Sequence, residues 1–64
     1  MLEEGKSYTC DRSAVAITIL EIIKSDDKNI EVKGMVFNKK SNIAYGSHTY
    51  NLSRSEIEDW TVWK

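Results

Sequence analysis

The sequence predicts a mostly-β domain, on two observations. Residues with β-branched or aromatic side chains concentrate in short runs, and Ser/Asp/Asn/Lys clusters separate those runs. β-branched and aromatic side chains fit a pleated, half-buried surface, and polar clusters of that kind mark turns. With 64 residues there is room for one core, so a single small β-barrel-like domain over residues 1–64 is expected. A chain of this size buries only about 60% of the surface its unfolded form exposes, so its margin of stability is thin. Cys10 is the single cysteine, so no internal disulfide can widen that margin. The core must come from Ile, Val, Leu and aromatics, with self-association as a further source of burial.

The first expected strand, Lys6–Cys10, is short. The second, Ala14–Lys24, is dense in Val15, Ile17, Thr18, Ile19, Ile22 and Ile23, residues stiff at χ1 that favour strands. A helix over residues 12–24, packed on an antiparallel sheet, is the alternative; Asp11 or Ser13 could cap it. The β-branched density favours the strand, with both faces apolar as where a strand crosses a closed barrel. Ser25–Asn29 makes a polar turn. In the third strand, Ile30–Asn38, Ile30 and Val32 alternate with Glu31 and Lys33 until Gly34 interrupts. A mid-strand glycine predicts a bulge or bend. After the turn Lys39–Asn42, the fourth strand, Ile43–Asn51, carries Gly46 as a second candidate bend.

Leu52-Ser53-Arg54-Ser55-Glu56-Ile57 reads as a capping box, with Ser53 as N-cap, Glu56 three residues on, and Leu52 and Ile57 placed as a hydrophobic staple. Only Arg54–Asp59 separates this cap from Trp60, so one turn of helix, partly 3₁₀, is expected. Trp60–Trp63 closes the chain as a fifth strand. Five strands with a one-turn helix before the last resemble the layout of SH3-like small barrels. The resemblance is one of layout: the Ala-Leu-Tyr-Asp-Tyr box of peptide-binding SH3 domains is absent, and so is a glycine-rich KOW-type turn. An OB-like barrel is the second choice because it usually needs a longer chain.

Ten acidic against nine basic residues give a formal charge of −1, which does not suit a generic polyanion binder. No apolar run is long enough to span a membrane, and the acidic start of the chain does not read as a secretory signal. With one thiol, a cytoplasmic setting is expected. His48, the one histidine, has no nucleophile or carboxylate at a spacing that suits catalysis. Cys10 reads as an inert thiol, and Asp26-Asp27 as a solvated turn lacking calcium-loop spacing. The expectation is therefore a non-enzyme with no catalytic residues, metal or small-molecule cofactor.

Two surfaces remain. Trp60 and Trp63, with Met35 and Phe37, supply aromatic and apolar side chains of the kind that carry protein interfaces. Lys33, Lys39, Lys40 and Arg54, with Tyr45 and Tyr50, would form the cation-and-aromatic face that single-stranded nucleic acid uses. The leading expectation is a non-catalytic protein-interaction module binding a larger partner or a second copy. Its residue usage suits a small bacterial or phage accessory protein. A nucleic-acid-binding barrel is the alternative.

Overall fold

The computed structural model describes residues 2–63. Its strands are β1 (Ser7–Thr9), β2 (Val15–Ser25), β3 (Asn29–Asn38), β4 (Ala44–Ser53) and β5 (Thr61–Val62); one helical turn, α1 (Arg54–Ile57), precedes β5. They form one antiparallel sheet in the order β4-β3-β2-β1-β5. The segment read either as strand or as helix is thus a strand. The sheet is not closed: β4 and β5 are its two ends among the described residues.

Register sets which side chains form the core. Ile17 and Ile19 of β2 lie opposite Val36 and Gly34 of β3, and Ile30 and Val32 lie opposite Leu52 and Tyr50 of β4. Alternation then puts Ile30, Val32, Gly34, Val36, His48, Tyr50 and Leu52 on one face, with Lys33, Met35, Phe37, Ser47, Thr49 and Asn51 on the other. The first face holds the core: Leu2, Tyr8, Ile17, Ile19, Ile30, Val32 and Leu52 are buried together, with Ile22, Val36, Tyr50, Ile57 and Trp60 half-buried against them. Ile19 and Val32 are fully buried. Burying each contributes roughly 1.5–3 kcal/mol.

β2 departs from the expected strand with two apolar faces. Its pairing with β3 slips between Ile19 and Glu21 and again between Ile22 and Lys24. Each slip is a bulge, leaving Leu20 and Ile23 unopposed and 42% and 48% exposed. The apolar surplus of β2 therefore faces outward at two bulges.

Gly34 pairs with His48 of β4 and with Ile19 of β2 at the margin of the first β2 bulge, so the irregularity that the glycine predicts lies beside it, with the extra residue in β2. Its role is close approach: a Cβ there would lie 2.7 Å from Ile17 Cδ1 and 3.2 Å from the Thr18 carbonyl. Gly46 does mark a bend. It has φ +86°, and the β3–β4 register shifts beside it, between Met35 and Phe37. A glycine in the left-handed region at a register shift is the G1 bulge.

Both long hairpins turn on an Asx side chain that replaces a strand bond with a local one. Asp26 Oδ1 accepts from the Lys28 and Asn29 amides at 2.9 and 2.8 Å. Asn38 Oδ1 accepts from Lys40 and Ser41 at 2.9 and 3.0 Å. The amides of Asn29 and then Lys28, with minor help from Lys24 and Arg54, hold the Asp26 carboxyl below the usual carboxylate range. A lowered folded pKa gives stability that is present above the unfolded value, about 3.9, and is lost as pH falls through the folded one. Asp26→Asn should therefore lower the denaturation midpoint at neutral pH, and its difference from the wild type should shrink as pH falls below the unfolded value, in urea titrations followed by tryptophan emission.

The capping box forms around α1. Ser53 Oγ accepts from the Ser55 amide at 3.2 Å, and the Ser53 amide donates to Glu56 Oε1 at 3.4 Å. Leu52 and Ile57 both join the core, as the staple requires. The turn is α rather than 3₁₀, and it ends on a 3₁₀-type bond from the Trp60 amide to the Ile57 carbonyl at 3.1 Å.

Candidate functional site

The open side of the sheet leaves the concave face unfinished. Tyr8 from β1, Ile17 from β2, Val36 from β3, Tyr50 and Leu52 from β4, and Trp60 line an apolar groove of about 210 Å³. Small-molecule pockets are usually roughly 300–1,000 Å³, so this one suits a single large apolar side chain. Trp60, Tyr50 and Val36 are half-buried against the core.

Beside the groove runs the free edge of β4, with no strand among the described residues on its outer side. Free edges are normally guarded by charge, proline, shortness or bulges. β5 is guarded by its two-residue length. The far half of β2, beyond the reach of β1, carries Glu21, Lys24 and two bulges, and the Glu4 carboxylate accepts its Ile22 amide at 2.8 Å. By contrast β4 has ten residues with no Lys, Arg, Asp, Glu or Pro. Its one guard is the Gly46 bulge, and from Ser47 to Leu52 its pairing with β3 is regular. Beside it, Ile43 and Tyr45 are 62% and 55% exposed.

The anticipated interface residues do not form one surface. Trp60 lines the groove, whereas Trp63 lies under the Lys39 ammonium, 5.3 Å from its ring centroid. Met35 and Phe37 are half-buried on the opposite face of the sheet, flanked by Thr18 and Ser47 and by Ala16 and Ala44.

The cation-and-aromatic set is dispersed as well. Lys39 is engaged: besides Trp63, its Nζ donates to Thr9 Oγ1 at 3.2 Å. Arg54 sits at the other end of β3, roughly 30 Å away by strand rise. There its Nε donates to the Asp26 carbonyl at 2.6 Å, its Nη2 donates to Ser25 Oγ at 2.6 Å, and its amide donates to the Lys28 carbonyl at 2.9 Å. Arg54 thus clamps the β2–β3 turn to α1. Lys33 is exposed midway along β3, opposite Thr49 and Glu21. Lys40 is exposed in the turn after β3, Tyr45 on β4 is exposed, and Tyr50 belongs to the groove.

His48 is exposed; its ring meets Tyr50 edge-on at 6.2 Å, and Nε2 lies 3.3 Å from the Tyr45 carbonyl. Cys10 is half-buried in the groove wall. Among the described residues no three His, Cys, Asp or Glu side chains gather as a metal site would require, and no helix is long and apolar enough to cross a membrane.

The β4 edge is the feature that reading the residues by motif passes over. Its signal is an absence: from Ser41 to Ser53 there is no charged residue, in a chain that is 30% charged. Fold and surface together define a class, a five-stranded antiparallel domain with an unguarded edge beside an apolar groove. No protein-family model, curated protein or solved structure matches this chain.

Proposed function

We propose that this protein is a non-catalytic protein-interaction module whose partner adds a β-strand to the β4 edge and sets an apolar side chain into the groove. The observation that carries the reading is that ten-residue edge, uncharged and proline-free, flanking Tyr50 and Trp60. Strand addition draws affinity from main-chain hydrogen bonds and specificity from pockets for alternate side chains. An edge with a pocket beside it has both parts. The unfinished core adds a second motive, since a strand on β4 would set side chains beside Tyr50 at the rim of the groove.

The finer description of the fold belongs with this proposal. The strand order, with a helical turn before the last strand, supports an SH3-like barrel left open between β4 and β5. Tyr50 and Trp60 then act at the opening, whereas Trp63, Met35 and Phe37 have supporting roles elsewhere. We also place the protein in the cytoplasm, as a small bacterial or phage accessory protein. A reducing compartment suits the free, half-buried Cys10.

Selecting peptides against the domain from a displayed random library tests the reading. Winners should share an extended pattern of alternating apolar residues with one large side chain, and amide shifts on binding should map to β4, Val36, Tyr50 and Trp60. Shifts confined to other faces would contradict it. So would salt-sensitive oligonucleotide binding weakened by Lys39→Glu with Lys40→Glu, since phosphate contacts report a basic surface. The expected result is no such binding even at low salt.

A further inference from the structure

We propose that the strand added to β4 is β4 of a second copy, paired antiparallel about a two-fold axis at Thr49. The inference rests on strand addition at β4 and goes on to name the occupant and its register. A two-fold contact must be self-complementary, because the same patch appears on both sides. Like charges directly opposite one another in a sheet oppose pairing. β4 meets that condition, having no charged residue to meet its own copy. The corresponding part of β2 is blocked in another way, by its two bulges and by Glu4, whose carboxylate already takes the Ile22 amide.

The bulge at Gly46 limits where the copies can pair. Ser47 to Asn51 is the regular stretch clear of both that bulge and the Ser53 cap, and its middle residue is Thr49. Antiparallel pairing about Thr49 sets Thr49 against Thr49, Ser47 against Asn51, and His48 against Tyr50. The first two pairs lie on the polar face and can hydrogen-bond across the strands. The third lies on the groove face, where the two rings already meet edge-on within one chain. Aromatic and hydroxyl cross-strand pairs are favourable ones. The dimer is then a continuous ten-stranded sheet with both grooves on one face.

Sedimentation equilibrium from micromolar to millimolar protein tests this with three chains: wild type, Thr49→Lys and Thr49→Asp. Thr49 is exposed with Lys33 directly opposite it on β3, so both variants should keep the wild-type circular dichroism, with the thermal transition slightly lower for Thr49→Lys and slightly higher for Thr49→Asp. The wild type should dimerise, each variant alone should dimerise about tenfold more weakly, and an equal mixture of the two should recover wild-type affinity as a heterodimer. A wild type that stays monomeric overturns the self-pairing. So does a dimer unaffected by either variant, or a mixture no tighter than its parts. A monomer that still binds selected peptides at β4 overturns only the second copy as occupant and leaves strand addition standing. Failure of both removes the β4 edge as a site.

Discussion

Replacing Ile19 with alanine is expected to cost about 2–5 kcal/mol and to leave the domain largely unfolded at room temperature. The side chain is fully buried at the centre of the sheet. Its backbone is held as well, since its amide donates to the Lys6 carbonyl at 2.9 Å and its carbonyl accepts from Gly5 at 2.7 Å. Those bonds keep the strand in place, so the surroundings have little freedom to close over a cavity. A single small core rarely supplies more than about 3–5 kcal/mol, so this one truncation is comparable with the whole margin. Leu20→Ala, one residue on at an exposed bulge, is the internal control and should stay within about 0.5 kcal/mol of wild type. Urea unfolding followed by tryptophan emission measures both, and equal losses at the two positions would mean that the bulge between them is misplaced.

Gly34→Val is the second large effect, and its sign runs against strand propensity. Valine is the better strand former, and glycine in a strand interior costs about 0.5–1 kcal/mol relative to alanine. Propensity alone therefore predicts a gain. Packing predicts a loss, because a Cβ at Gly34 would meet Ile17 Cδ1 at 2.7 Å, Cγ1 at 3.0 Å and the Thr18 carbonyl at 3.2 Å. Ile17 is itself buried against the core and cannot swing into water. Overpacking of this kind costs about 1–3 kcal/mol for a few added atoms, and packing should win. Ile17→Val removes the Cδ1 atom of closest approach, so Gly34→Ala combined with Ile17→Val should be less unstable than the sum of the two single changes. Additive losses in the same unfolding measurement would show that the two positions do not touch.

These two positions also show what the residues reveal in advance. The alternation Ile30, Val32 against Glu31, Lys33 has a period of two that only a half-buried strand satisfies, and β3 follows it. The Leu52–Ile57 cap is equally legible because each part of a capping box acts within one turn. Gly34 is visible as an interruption, but whether glycine serves a bend or a close approach depends on the strand beside it, and that is set by register. The bulges at Leu20 and Ile23 are hidden for a related reason. Apolar residues in unbroken succession do not say which of them the pairing will leave out.

The candidate site was less legible than the fold. Clustering Arg54 with Lys39 and Lys40 treats strand neighbours as spatial neighbours, whereas antiparallel pairing returns Arg54 to the Ser25–Asp26 turn. The separation of the tryptophans is legible, since alternation along Trp60–Trp63 sends them to opposite sides, and Trp60 lines the groove while Trp63 lies under Lys39. The free edge follows from strand order, which depends on contacts distant in sequence. Only its lack of charge is local.

The central claim is that β4 is where this protein meets its partner, and amide hydrogen exchange tests it most directly. Each backbone amide of β4 that points away from β3 is exposed when the edge is free and hydrogen-bonded when a strand has been added. Exchange should therefore slow at those amides between Ser47 and Asn51 when a selected peptide is added or the protein is concentrated. The rest of the sheet should be unchanged, apart from the groove residues Tyr50 and Trp60. Protection that appears instead around Lys39 and Lys40, or on the face carrying Met35 and Phe37, with β4 still exchanging freely, would contradict the account.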